Sequence, residues 1–141
     1  MIHTENLTKR FKTTLAVDNL SLDIHEGEVF GFLGPNGAGK TTTVRMLTCL
    51  IGATSGSAVV NGFRVGEQDT QIRRSVGILT ETPGMYDNLS AEFNLEIFAN
   101  LYEVKDPKGQ VEKYLRMLGL WERRMDEAGT FSKWMKQKLA I

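Results

Sequence analysis

A mixed α/β fold is predicted for this sequence, and three observations predict it. Alternating and buried-strand patterns lead into a cluster of glycines, a helical pattern leaves that cluster, and further amphipathic helices with their own start and stop signals follow. The chain has 141 residues, 41% of them hydrophobic, enough for a domain with its own core. No apolar run approaches the ~18 residues of a membrane span. The start Met1-Ile2-His3-Thr4-Glu5-Asn6 lacks the basic and apolar regions of a secretory leader. The lone Cys49 cannot build a disulfide framework and reads as a small buried apolar residue. Together these predict a reducing, cytoplasmic setting. Seventeen Lys plus Arg balance 17 Asp plus Glu, which argues against nucleic acid as the partner.

In chain order, Leu20-Ser21-Leu22-Asp23-Ile24 alternates with period two, and Glu28-Val29-Phe30-Gly31-Phe32-Leu33 reads as a buried strand after a turn at Glu26-Gly27. Five of the 14 glycines lie between Gly27 and Gly39, at a strand-to-helix junction rather than in a linker. The helix after them, Lys40 to Ile51, carries Val44, Leu47 and Ile51 at helical spacing and is predicted to stop at Gly52. Ala58-Val59-Val60-Asn61-Gly62-Phe63 reads as a strand running into a turn, and Val76-Gly77-Ile78-Leu79 as another buried strand. A helix capped by Ser90 presents Leu95, Phe98, Leu101 and Tyr102 on one side. The next has Asp106 as N-cap, Pro107 at its first position, and Val111, Tyr114, Leu115 and Leu118 on one face before Gly119. A last helix begins at Ser132 and runs to Ile141. No internal repeat or low-complexity tract is present.

Gly34-Pro35-Asn36-Gly37-Ala38-Gly39-Lys40-Thr41 matches G-x-x-x-x-G-K-[ST] after a predicted strand and at the opening of a helix. Glycines let the backbone of Asn36, Gly37, Ala38 and Gly39 wrap closely enough to aim N–H groups at phosphate oxygens, and the helix N-terminus adds partial positive charge. Lys40 then reaches the β- and γ-phosphates, the Thr41 hydroxyl is a ligand for the accompanying Mg²⁺, and Thr42 donates a further hydrogen bond to phosphate. The sequence therefore predicts nucleoside triphosphate binding.

With Leu7-Thr8-Lys9-Arg10-Phe11 and Ala16-Val17-Asp18-Asn19-Leu20-Ser21-Leu22 ahead of this loop, the chain resembles the nucleotide-binding subunit of ATP-binding cassette (ABC) transporters over its whole length. The resemblance implies ATP and Mg²⁺ as cofactors. It also implies an antiparallel β-subdomain with the phosphate loop over residues 1–75, and a Q-loop region, helical subdomain and start of the signature helix over 76–141. Phe11 occupies the place of the family's adenine-stacking aromatic; its alternative is ordinary packing. Val76 to Ser90 resembles the Q-loop region, where the family's glutamine contacts Mg²⁺ and the attacking water. Glu81 stands at that position, as a metal contact or simply a solvated acid. Gly129-Thr130-Phe131-Ser132-Lys133-Trp134-Met135-Lys136-Gln137-Lys138-Leu139 resembles the signature motif and its helix. Ser132 is in place to meet the γ-phosphate held by an opposite subunit. It also reads as a helix N-cap. Trp134 replaces a family glycine where backbone approaches phosphate.

The resemblance implies as partners a membrane permease subunit and a second nucleotide-binding subunit, with the protein peripheral on the inner face of the membrane. The family's strand ending in Asp-Glu and its switch histidine find no match in the 141 residues. The chain is thus expected to hold the first part of the domain, with the C-terminal part of the core sheet missing, an exposed sheet edge and marginal stability. Two function classes remain. One is an ATP-hydrolysing transporter subunit of the exporter-leaning branch; the other is a truncated or degenerate nucleotide-binding protein without turnover, favoured by Trp134 and Glu81. A third candidate, a GTPase or small-molecule kinase, is disfavoured because the matching adenine-stacking and signature-like segments would then be coincidental; a preference for GTP over ATP would distinguish it.

Overall fold

The computed structural model describes residues 1–80 and 84–141. Two compact units divide the chain, Met1–Gly77 and Ile78–Ile141. The first unit is built on a four-stranded antiparallel sheet of β1 (Ile2–Phe11), β2 (Thr14–Ile24), β3 (Ser55–Val60) and β4 (Phe63–Arg64), in the order β2-β1-β3-β4. The period-two pattern at Leu20, Leu22 and Ile24 is the half-buried face of β2. Asn61 and Gly62, both with positive φ, form the predicted turn between β3 and β4.

Strand β1 gave no period-two signal, and its bulges explain why. Asn6 takes a left-handed φ of 48°, so the buried residues Thr4 and Leu7 fall three apart instead of two. Hydroxyl groups replace the lost ladder partners. Thr4 Oγ1 accepts from the Leu22 amide at 2.8 Å and donates to the Leu20 carbonyl at 3.0 Å. Ser21 Oγ accepts from the Asn6 amide, and Thr8 Oγ1 from the Asn19 amide, each at 3.0 Å. Gly56 lies against the bulge at φ 80°, where a Cβ would collide with the Asn6 carbonyl.

Helices α1 (Lys40–Leu47) and α2 (Asp69–Ser75) complete this unit, and its core is Leu7, Val17, Met46, Leu47, Ala58, Val60 and Ile72. Helix α1 ends earlier than the predicted stop at Gly52. Thr48 is its C-cap, Cys49 takes a left-handed φ of 58°, the Leu50 amide donates to the Arg45 carbonyl at 2.8 Å and the Cys49 amide to that of Met46 at 3.0 Å. This is a Schellman closure with a cysteine where glycine is usual. Cys49 is half-buried beside the core rather than within it. The predicted strand over 28–33 is not a strand: among the described residues nothing pairs with it, and Val29 and Leu33 are 100% and 91% exposed. Val76–Leu79 is likewise unpaired, and Ile78 and Leu79 are exposed. A buried parallel strand requires neighbours on both sides, and the described residues pair neither segment.

The second unit holds α3 (Ala91–Leu101), α4 (Pro107–Met117) and α5 (Lys133–Leu139), with single 3-10 turns at Trp121–Arg123 and Ala128–Thr130. All three caps predicted from sequence form: Ser90 Oγ accepts from Phe93 N, Asp106 Oδ1 from Gly109 N and Ser132 Oγ from Met135 N. The Ala91 and Glu92 amides, orphans of the first turn of α3, donate to the Asp126 and Arg124 carbonyls at 3.1 and 3.0 Å. Ala91, Val111, Leu115, Leu120, Ala128, Phe131 and Leu139 form the core. Leu101 and Tyr102, expected on the buried side of α3, are 69% and 75% exposed; the buried positions are Ala91 and Asn94. No helix of the described residues is long and apolar enough to cross a membrane.

Candidate functional site: a phosphate-loop cradle

The site begins where the chain leaves the extended segment. Pro35 and Ala38 close a turn through the Ala38 amide to the Pro35 carbonyl at 3.2 Å, and Gly37 and Gly39 take φ of 85° and 84°. Gly39 is the N-cap of α1, and no side chain caps that helix. The first intrahelical bond runs from the Thr43 amide to the Gly39 carbonyl at 2.8 Å, so the amides that precede it are the orphan donors of the helix N-terminus. No acidic residue occupies the first turn of α1. The local field therefore favours an anion. Lys40 Nζ folds back over the loop and donates to the Gly34 and Pro35 carbonyls at 2.5 and 2.7 Å. Those bonds hold the ammonium group at the mouth of the cradle.

The three threonines divide by environment. Thr43 is buried and donates its hydroxyl to the Gly39 carbonyl at 3.0 Å, so its role is to brace the loop. Thr41 is exposed, Thr42 is half-buried, and neither hydroxyl makes a hydrogen bond among the described residues. A free hydroxyl oxygen on the first turn suits a hard cation such as Mg²⁺, which takes few protein ligands and completes its shell with water and phosphate oxygens. Thr41 thus fits the metal, and Thr42 can donate to a phosphate.

Strand β2 supports the cradle from behind. A Cβ on Gly39 would collide with the Ala16 carbonyl and stand 3.1 Å from Val17 Cγ2, so only glycine lets the loop rest on the sheet here. Phe11, the last residue of β1, pairs with Thr14 across the turn at the same end of β2 and is 47% exposed. The phosphate loop and Phe11 both belong to the first unit.

Ser132 and Trp134 belong to the second unit. Ser132 Oγ is engaged by the Met135 amide at 3.2 Å, and Trp134 in the first turn of α5 is 76% exposed. Leu79, Thr80, Lys133 and Gln137 line the same open surface. Glu81 lies outside the described residues. Two features were missed from sequence. Asn94 is fully buried and binds the backbone of Tyr86, Leu89 and Ser90. Trp121 is stacked by the Arg116 and Arg124 guanidiniums, 4.2 and 4.3 Å from its centroid. A buried amide on an otherwise apolar helix face was the available signal for Asn94; none marked the Trp121 stack.

A glycine-rich cradle at a helix N-terminus, backed by an antiparallel sheet and followed by a helical unit, defines an ABC-type nucleotide-binding domain. Among solved structures, an ATP-binding subunit of an ABC transporter matches with TM-score 0.82 and 27% identity over 99% of this chain and 59% of its own. A dimeric ATP-binding cassette bound to ADP and phosphate shares the fold with TM-score 0.84 at 24% identity, over 99% of this chain and 67% of its own. The sequence profile of the ABC transporter family matches residues 17–141, and the chain belongs to that family. It is 40% identical over its whole length to the bacitracin transport ATP-binding protein BcrA of Bacillus licheniformis, and 34% identical to the linearmycin resistance ATP-binding protein LnrL of Bacillus subtilis. It spans 46% of the length of each of these relatives.

Proposed function

We propose that this chain binds MgATP as the nucleotide-binding part of an ABC transporter subunit, and that the whole subunit couples ATP hydrolysis to transport in the exporter-leaning branch. The observation that carries the reading is the cradle itself: an uncapped helix N-terminus, left-handed Gly37 and Gly39, and Lys40 held at the mouth with no acid in the first turn. The amides of Asn36 through Thr42 receive the phosphates, and Lys40 exchanges its loop carbonyls for β- and γ-phosphate oxygens. Thr41 gives one oxygen to Mg²⁺, whose charge offsets that of the phosphates. Phe11 stacks on the base and Glu81 serves the metal side of the γ-phosphate. Ser132 faces a nucleotide held by a second nucleotide-binding subunit, and a permease subunit anchors the assembly at the inner face of the membrane. Relatives named for bacitracin transport and linearmycin resistance support the exporter branch.

Titration of MgATP by calorimetry tests the first part. Lys40→Ala should weaken binding at least tenfold, because a charge-assisted contact to phosphate contributes about 1.5–3 kcal/mol. Equal affinity of the variant and the parent chain would remove the cradle from the reading. A second reading, nucleotide binding without turnover, is favoured by Trp134, whose exposed indole stands where the family's backbone meets phosphate. Steady-state hydrolysis that is lost in Lys40→Ala would overturn that alternative.

A further inference from the structure

Phe11 does not stand alone at the end of β1. Lys9 Nζ lies over its ring, 5.0 Å from the centroid, and donates to the Gly52 carbonyl at 2.5 Å. The segment that carries Gly52 is itself tied to β1: the Thr54 amide donates to the Thr8 carbonyl at 2.8 Å, and Thr54 Oγ1 accepts from the Arg10 amide at 3.0 Å. Lys9 is thus fixed at its tip by a loop 43 residues away in sequence, and it covers one face of an aromatic ring that is 47% exposed. A cation on one face draws π density toward itself. The opposite face is left electron-poor, a better partner for an electron-rich purine than an unperturbed ring.

Distance supports the same assignment. Phe11 pairs with Thr14, two residues before Ala16, whose carbonyl backs Gly39 of the phosphate loop. At ~3.4 Å per residue the ring's end of the hairpin lies roughly 7 Å along β2 from the cradle, a gap that the ribose of a nucleotide bridges. We propose that Lys9 is the positioning residue for base recognition, holding Phe11 from behind and polarising it toward a purine. This rests on the stacking role given to Phe11 above.

The test compares MgATP with magnesium tripolyphosphate, which has the phosphates but no base, by calorimetry on the full chain. Lys9→Met keeps the aliphatic stem and removes the charge. It should weaken MgATP about fivefold, leave tripolyphosphate unchanged, and be rescued by Lys9→Arg. Equal weakening of both ligands, or no weakening of MgATP, overturns the proposal. In a Phe11→Leu background Lys9→Met should have no further effect on MgATP; a full additional effect also overturns it, and this arm needs only that Phe11→Leu folds. A parent chain that binds tripolyphosphate through Lys40 and shows no gain from the base retains the phosphate cradle and loses Lys9. A parent chain that binds neither ligand loses both.

Discussion

Gly37 and Gly39 offer a matched pair for separating two reasons that a glycine is needed. Their φ values are 85° and 84°, so alanine incurs the same left-handed penalty at each, about 1–2 kcal/mol. Part of it is offset by the ~0.4–1 kcal/mol that alanine contributes through a less flexible unfolded chain. Surroundings differ. A Cβ at Gly37 meets nothing within 4 Å, whereas at Gly39 it overlaps the Ala16 carbonyl and crowds Val17 Cγ2 at 3.1 Å. Relieving that overlap must shift the loop or β2, which adds about 1–3 kcal/mol. Gly37→Ala should therefore cost about 1 kcal/mol and Gly39→Ala about 2–4 kcal/mol. Intrinsic fluorescence does not report this directly, since both tryptophans and all three tyrosines lie beyond Gly77. Hydrogen exchange of the β1 and β2 amides does. Protection should fall roughly fivefold for Gly37→Ala and 30-fold or more for Gly39→Ala. Equal losses would refute the close-approach account and leave the dihedral as the sole requirement.

Further predictions concern stability and solubility. Asn94→Ala strips a fully buried amide whose Oδ1 accepts from the Tyr86 amide at 2.8 Å and whose Nδ2 serves the Tyr86, Leu89 and Ser90 carbonyls. Tryptophan-detected urea unfolding should show a loss of about 2–4 kcal/mol, and a loss below ~0.5 kcal/mol would mean that water replaces the amide without penalty. The Cys49 thiol is pushed up to about 11 from 9.0, first by burial and then by the Asp69 carboxylate, against the lowering effect of Arg73. The folded chain holds this proton where the unfolded chain releases it. The resulting stability is complete below pH 9 and is lost as pH rises toward 11. Cys49→Ser should flatten that decline in unfolding free energy, and at pH 8 native Cys49 should alkylate far more slowly than in urea; equal rates contradict the shift. Val29→Lys with Leu33→Lys places charge on an unpaired apolar segment that is almost fully exposed, and light scattering should report less aggregation than for the parent chain. Unchanged scattering would move the hazard to another surface.

Sequence legibility followed how local each feature is. The starts of α3, α4 and α5 could be read because Ser90, Asp106 and Ser132 each bind an amide three residues on. The phosphate loop could be read because its donors are consecutive. Strand β1 hid behind its bulge at Asn6, which breaks its alternation; there the Ser21 hydroxyl takes over the ladder, as the Thr8 hydroxyl does for Asn19 of β2 opposite. The end of α1 was misplaced because Cys49 adopts the left-handed turn that the sequence assigned to Gly52. Segments 28–33 and 76–79 have the composition of buried strands, yet pairing is a property of neighbours, and composition cannot supply them.

Gly52 shows how these scales meet in the site. Read along the chain, it is a helix stop. In the fold it follows a helix that has already ended, and its carbonyl is the anchor for Lys9 Nζ. The Schellman closure at Cys49 turns the chain out of α1, and Thr54 then ties it to β1 through the Thr8 carbonyl and the Arg10 amide. Helix α1 thus fixes two things at once: its N-terminus carries the phosphate cradle, and its C-terminal exit delivers the carbonyl that holds the cation behind Phe11. A change in where α1 ends would shift that anchor while leaving the cradle residues in place. Under the proposed roles of Lys40 and Phe11, phosphate affinity and base affinity are therefore separable properties of one short helix. Replacing Cys49 by glycine, which adopts the same turn more readily, should preserve both, whereas Cys49→Val, β-branched at φ 58°, should weaken MgATP more than tripolyphosphate.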